Sequence, residues 1–119
     1  MSLTRMLDTI KKHPDYHNAG MILCHNGVVR STSRNGQKVS GLMITVNHQK
    51  LQQVIAISKQ TPGIIEVLVE INENRKLSVG ADVMFLVVAG DIRETVIRVL
   101  TETLDAIKTT VTKKMEFFE

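Results

Sequence analysis

The sequence predicts an α+β domain in which helices pack on a mainly antiparallel or mixed sheet, and three observations carry that prediction. Apolar residues recur at helical spacing in segments near the start, the middle and the end of the chain. Between those segments the period changes to the alternation of a half-buried strand, or to a nearly unbroken apolar run. Finally, 119 residues with 43% hydrophobic and 23% charged side chains suit one globular domain and leave no room for a second. The resulting order is helix, two or three strands, helix, two strands, helix.

Leu3, Met6, Leu7 and Ile10 form the apolar face of a short opening helix, which His13-Pro14 stops, because the residue before a proline is driven out of the helical region. Met21 to Cys24 and Val28 to Ser31 read as extended, with Gly27 between them as a bulge or bend. Asn35-Gly36 is the dipeptide of a tight hairpin turn, so Lys38 to Val46 is expected to run back as the partner strand.

Asn47 caps a helix whose apolar positions are Leu51, Val54 and Ile55, with Ser58 following them, and Thr61-Pro62-Gly63 ends it. Ile65, Val67, Val69 and Ile71 alternate with Glu66 and Glu70, predicting a strand with one buried face. Val83 to Ala89 has the unbroken apolar character of a central strand. Asp91 is placed to cap the last helix, with Glu94 completing a capping box. Ile92, Val96, Val99, Leu100, Leu104, Ile107 and Val111 then form that helix's apolar stripe. Met115 to Glu119 is left as a docking segment or a frayed end.

Composition excludes several function classes. A single cysteine, Cys24, forbids an intrachain disulfide, and no Cys/His cluster supplies the ligands of a structural zinc. Met1 to Lys12 is too charged for a signal peptide, and the longest apolar run, Val83 to Gly90, falls far short of the ~20 residues that cross a bilayer. A soluble, cytoplasmic protein away from membranes is the expectation. The net charge of +3 leans weakly towards anionic partners. Four aromatic residues, none interleaved with basic ones, argue against nucleic acid. No phosphate-cradling glycine loop, Gly-x-Ser-x-Gly elbow or His-Glu-x-x-His pair is present.

Cys24 and His25 are adjacent, but neighbours on a strand point to opposite faces and cannot readily share a proton, so Cys24 is read as a buried structural residue. His13, His17 and His48 are scattered and imply no metal site. The basic residues Arg30, Lys108 and the Lys113-Lys114 pair are more informative, since they could meet at one end of the sheet as an anion site. Complementation of the helix dipole is the alternative for Lys113 and Lys114.

The ordered set of motifs resembles the large subunit of molybdopterin synthase. It comprises Ala19-Gly20-Met21-Ile22, His25-Asn26-Gly27-Val28-Val29-Arg30, Val39-Ser40-Gly41-Leu42, Leu77-Ser78-Val79-Gly80, Val88-Ala89-Gly90 and a last helix reaching Lys108. The resemblance spans about residues 15–116. It implies a hammerhead-like α+β fold, a homodimer and a small ubiquitin-like partner whose C-terminal glycine thiocarboxylate enters the active site. The implied reaction moves sulfur onto a cyclic pyranopterin phosphate to form the dithiolene, with no cofactor and no metal. Carried over by position, Lys108 is the catalytic candidate and Arg30 the substrate-binding one; Lys114 joins Lys108 as a catalytic candidate, and Arg93, as a shifted equivalent, and Lys113 join Arg30 as substrate-binding candidates.

The chain also departs from the family's pattern. Gly90-Asp91-Ile92-Arg93 stands where the family opens its last helix with a His-Arg pair, and Asn72-Glu73 stands near a further His-Arg of the preceding loop. Thr112-Lys113-Lys114-Met115 replaces a Pro-x-Trp-Lys segment with a catalytic lysine, so Met115 falls at the lysine position and Lys114 takes it only if the register slips by one. Without the proline, nothing obliges the helix to stop there. Two functions are therefore carried forward: an active sulfur-transfer subunit, and a relative that keeps fold and dimer as a binding or regulatory module.

Overall fold

In the computed structural model, which describes residues 1–119, Val83 to Ala89 lies in the middle strand of a three-stranded sheet. The helices are α1 (Leu3–Lys11), α2 (His48–Lys59) and α3 (Arg93–Ala106). The strands are β1 (Met21–Val28), β2 (Val39–Val46), β3 (Ile64–Ile71), β4 (Leu77–Ser78), β5 (Asp82–Gly90) and β6 (Thr112–Phe118). They form two antiparallel sheets, ordered β1-β5-β3 and β4-β2-β6, in a molecule 49 × 25 × 24 Å across. The α+β fold read from the sequence is the one observed.

Both faces of the first sheet are covered, which is why β5 carries no polar residue between Val83 and Ala89. Phe85, Val87 and Ala89 pack under Met6 and Ile10 of α1. Leu86 and Val88 pack under Val96 and Val99 of α3, and Met84 meets Leu51 of α2. Burying each of the larger side chains, Met84 to Val88, is worth about 1.5–3 kcal/mol, so this strand anchors the domain. Gly90 ends it because α3 comes close: a Cβ there would lie 2.8 Å from Val96 Cγ2 and 3.0 Å from the Gly63 carbonyl oxygen.

The second helix begins as the sequence predicts, at Asn47, and the first is capped by a residue the sequence reading did not single out. Ser2 Oγ accepts from the Arg5 amide at 3.2 Å to cap α1, and Asn47 Oδ1 accepts from the Lys50 amide at 3.0 Å to cap α2. Ser58 of α2 bonds to Thr103 of α3 through their hydroxyls at 2.7 Å, which satisfies the one buried polar side chain between those helices.

Five expectations are corrected. Lys38–Val46 is not the hairpin partner of Met21–Ser31: the turn at Asn35-Gly36 forms, but only Thr32 and Lys38 bridge across it. β1 pairs instead with β5, and β2 joins the second sheet, because β5 offers a longer apolar ladder than a local return could. In β3 a register shift between Ile64 and Glu66 turns Ile65 to the α1 side, away from Val67 and Val69, so both faces of that strand are covered.

At the start of α3 the N-cap is Ile92, which has no side-chain acceptor, and no capping box forms. Asp91 is held by its backbone amide, which donates to the Gly63 carbonyl at 3.0 Å, and this delays the helix by one residue. Ile92 is consequently 56% exposed rather than part of the apolar stripe.

The end of α3 differs most. Ile107–Val111 forms a π turn, and the tail after it is neither frayed nor helical but is β6, paired with β2 from Val39 to Val46. Thr109, Thr110, Val111 and Thr112 are all β-branched, which disfavours continued helix. The Thr109 and Thr110 hydroxyls also donate back to the carbonyls of Asp105 and Ala106 at 2.8 and 2.7 Å, a pattern that loosens a helix. Burial of Ile107 and Val111 against Leu51 and Met84 then pins the turn in place.

Candidate active site

Where the two sheets meet, a cavity of about 400 Å³ opens between β1, β2, β5, the π turn and β6. Leu42, Ile44, Ile71, Val83, Met84 and Ile107 give it apolar walls, and its polar side chains are His25, Arg34, Thr112, Lys108 and Lys114. No carboxylate lines it. A site of three cations and an imidazole over apolar walls is built to hold an anion attached to a larger body.

Each side chain arrives by a local cause. Lys108 sits on the π turn, whose inner residues Ile107 and Val111 are buried, leaving Lys108 on the cavity side. Single π turns inside helices recur at functional sites because the extra residue re-aims its neighbours. Lys114 is paired with Ile44 across the β2–β6 ladder, and the two-residue period of a strand puts Thr112 and Lys114 on the cavity face together. Lys113 points the other way, into a separate polar depression with Thr45 and Lys50. Lys114 Nζ has Glu116 Oε1 at 3.7 Å, an exposed pair of little strength.

His25 reaches the cavity from β1. The register shift between Gly27 and Val28 is the bulge anticipated at Gly27, and a Cβ on Gly27 would lie 3.3 Å from His25 Nε2, so the missing side chain leaves room for the ring. Burial, and then the Lys108 charge, hold the imidazole below its ordinary pKa. Cys24 faces the opposite side of β1, and here the expectation of burial is corrected: the residue is exposed, because β1 is an edge strand and Cys24 is not among the residues packed under α1. Its thiol pKa is nevertheless raised by partial burial of the sulfur.

Lys108 and Lys114 are thus brought together. Arg30 does not line the cavity; the chain leaves the sheet after Val28, and Arg30 Nε donates to the Thr32 carbonyl at 2.8 Å. Arg34 takes a place there from the turn that follows. Arg93, at the far end of α3, is exposed and pairs with Glu94 at 3.3 Å. With a rise of 1.5 Å per residue, it lies about 22 Å along the helix from Lys108.

Comparison with known proteins settles the family. The family model described as MoaE protein matches residues 2–110. The chain belongs to the MoaE protein family. No curated protein sequence matches it significantly. Among solved structures, a molybdopterin cofactor biosynthesis protein E from Burkholderia multivorans aligns at TM-score 0.78 and 18% identity, covering 100% of this chain and 82% of that one. Molybdopterin synthase from Staphylococcus aureus aligns at TM-score 0.73 and 21% identity over 86% and 77%. A complex of subunits 1 and 2 of molybdopterin-converting factor from Helicobacter pylori aligns at TM-score 0.73 and 14% identity over 100% and 80%. At these identities the likeness is one of fold.

In this MoaE chain the position reached by counting, Met115, is exposed, and it is Lys114 that lines the cavity. Sequence reasoning missed Arg34 and gave His25 no function. The adjacency of Arg34 to the Asn35-Gly36 turn was visible, but where a turn folds back to depends on the sheet it rests on. For His25 the available signal was the neighbouring Gly27, whose lack of a side chain clears space for a ring.

Proposed function

We propose that the protein is the large subunit of a molybdopterin synthase in molybdenum cofactor biosynthesis, transferring sulfur from a thiocarboxylated ubiquitin-like small subunit to a cyclic pyranopterin phosphate. The observation that carries this reading is that Lys108 and Lys114 line one carboxylate-free cavity with Arg34. Both reactants are anionic, and cations at the reacting atoms form charge-assisted hydrogen bonds and stabilise negative charge developing as sulfur is delivered. Lys108 and Lys114 are the catalytic residues of this reading. Arg30, Arg93 and Lys113 remain its substrate-binding candidates; because they lie outside the cavity, they contribute where a bound substrate or a second copy extends to them.

The reading includes a cytoplasmic homodimer that binds two small subunits. The H. pylori relative was solved as a complex of two subunits, which supports a partner of that kind. No helix is long and apolar enough to cross a membrane. The second reading, a fold-retaining binding module, draws on Gly90-Asp91-Ile92-Arg93, which has no histidine where the resembled family opens its last helix with a His-Arg pair, and on Met115 at the position of its catalytic lysine, exposed here.

The two separate in a reconstituted assay containing the protein, a thiocarboxylated small subunit from the same genome and the cyclic pterin precursor, with the dithiolene product oxidised to its fluorescent derivative. Product above the partner-only control is expected. Its absence, with an authentic large subunit active in parallel, overturns the enzymatic reading in favour of the second.

A further inference from the structure

His25 is the one titratable side chain of the cavity wall that the proposed sulfur transfer leaves unused. The hydrogen bonds made by histidine rings in this chain belong to His13 and His48, so both ring nitrogens of His25 are free to serve a ligand. The ring lies over Gly27, on the same side of β1 as the cavity, and is half-buried. We propose that His25 is a proton-linked anion ligand of this cavity, neutral when the site is unliganded and protonated when a dianionic oxyanion such as a phosphate monoester sits beside it, Lys108 and Lys114. The inference rests on the reading of the cavity as an anion site and adds a residue to it that binds in proportion to ligand charge.

The charged groups around His25 account for the direction. Lys108 comes from the π turn, Lys114 from β6 and Arg34 from the turn before β2. β2 and β5 present only Leu42, Ile44, Val83 and Met84 to this cavity. The carboxylates of the neighbouring elements lie outside the lining: Glu116 is weakly paired with Lys114 at 3.7 Å, Asp82 accepts from Asn26 at 3.1 Å, and Asp105 is exposed. Every charge lining the cavity is therefore positive. A second positive charge on His25 is unfavourable until an anion offsets it, and burial adds to that bias. A dianion reverses the balance: it attracts the proton, and the imidazolium supplies a further donor that a neutral ring with the wrong tautomer cannot.

By linkage, a proton taken up on binding makes affinity fall as pH rises between the free and the liganded pKa of His25. Below that window the ring is protonated in both states, and above it in neither, so affinity there is flat. At its steepest the apparent Kd rises by about tenfold per pH unit for one proton.

The experiment uses the full chain and sulfate, which remains a dianion throughout the range in which histidine titrates. Imidazole resonances are followed by NMR from pH 4.5 to 8 with sulfate, with acetate and with chloride at matched ionic strength, and His25→Gln identifies the His25 signals. The expected result is a His25 that titrates below the ordinary histidine value in chloride and moves upward in saturating sulfate, with sulfate affinity weakening as pH rises. In Lys108→Gln, the His25 pKa in chloride should rise towards the ordinary value. Absence of sulfate binding, a His25 pKa unmoved by sulfate, or a shift just as large in acetate each overturns the proposal. Because the readout is binding, a protein that fails to make dithiolene but shows this shift refutes the sulfur-transfer reading alone.

Discussion

Lys108 and Lys114 line the same cavity although one ends a helix and the other lies in a strand, and Lys113, next in sequence to Lys114, does not reach it. The π turn sets the phase of β6, and strand alternation then decides which of two adjacent lysines faces the ligand. Lys108→Ala and Lys114→Ala should each reduce dithiolene formation by roughly 10²–10⁴-fold. Lys113→Ala, outside the cavity, should cost less than either and act on KM rather than kcat. All three should keep the far-UV spectrum of the parent, and equal activity across the set would remove both cavity lysines from the mechanism.

His25 also makes stability depend on pH with a definite sign. Its folded-state pKa is lowered, so between that value and the unfolded value of about 6.5 the unfolded chain binds the proton more readily. Its contribution is constant above about 6.5 and is lost as pH falls through the window to the folded pKa. Urea unfolding of wild type and His25→Gln at a series of pH values should therefore show the variant losing less stability on acidification. Parallel curves from pH 7.5 to 4.5 would contradict this.

Cys24 combines exposure of the residue with a thiol whose pKa is raised. Because the thiolate is the reactive form, iodoacetamide should modify it without denaturant, yet more slowly at pH 8 than it modifies a free cysteine. Mass spectrometry of the labelling time course measures both. Protection until urea is added would mean that a second copy or another surface covers this edge of β1.

Gly90 should be intolerant of a side chain. Its Cβ would meet Val96 Cγ2 at 2.8 Å and the Gly63 carbonyl oxygen at 3.0 Å, and the latter is backbone that cannot swing aside. Gly90→Ala should cost about 1–3 kcal/mol in chemical denaturation, in the range of overpacked cores. Gly36→Ala, at a turn with open space around it but φ of +86°, tests backbone strain without crowding and should cost about 1 kcal/mol.

Association is the remaining test. Met115 and Phe118 are exposed on β6, an edge strand with a free hydrogen-bonding side. Light scattering at micromolar concentration should give the mass of a dimer. A monomer at that concentration would count against the homodimer in the proposed function.

Local chemistry made much of this fold legible. Asn47 caps the helix it precedes, as its placement before an amphipathic run predicts, and the polar-free stretch of β5 is the central strand covered on both faces that its unbroken apolar character suggests. The ordered set of motifs, through its resemblance to a known family, reached the family that the comparison shows, and its Gly27, Gly41, Gly80 and Gly90 stand in the structure at a bulge, a turn or a close approach. Tertiary structure alone decided which strands pair, since β1 gains a longer apolar ladder from β5 than from the strand next in sequence. It decided the cavity as well. A strand's period fixes only that neighbours face apart; whether Lys114 or Lys113 faces Lys108 depends on the phase set by the π turn, and that phase is held by burial of Ile107 and Val111 against α2 and β5, contacts far away in sequence.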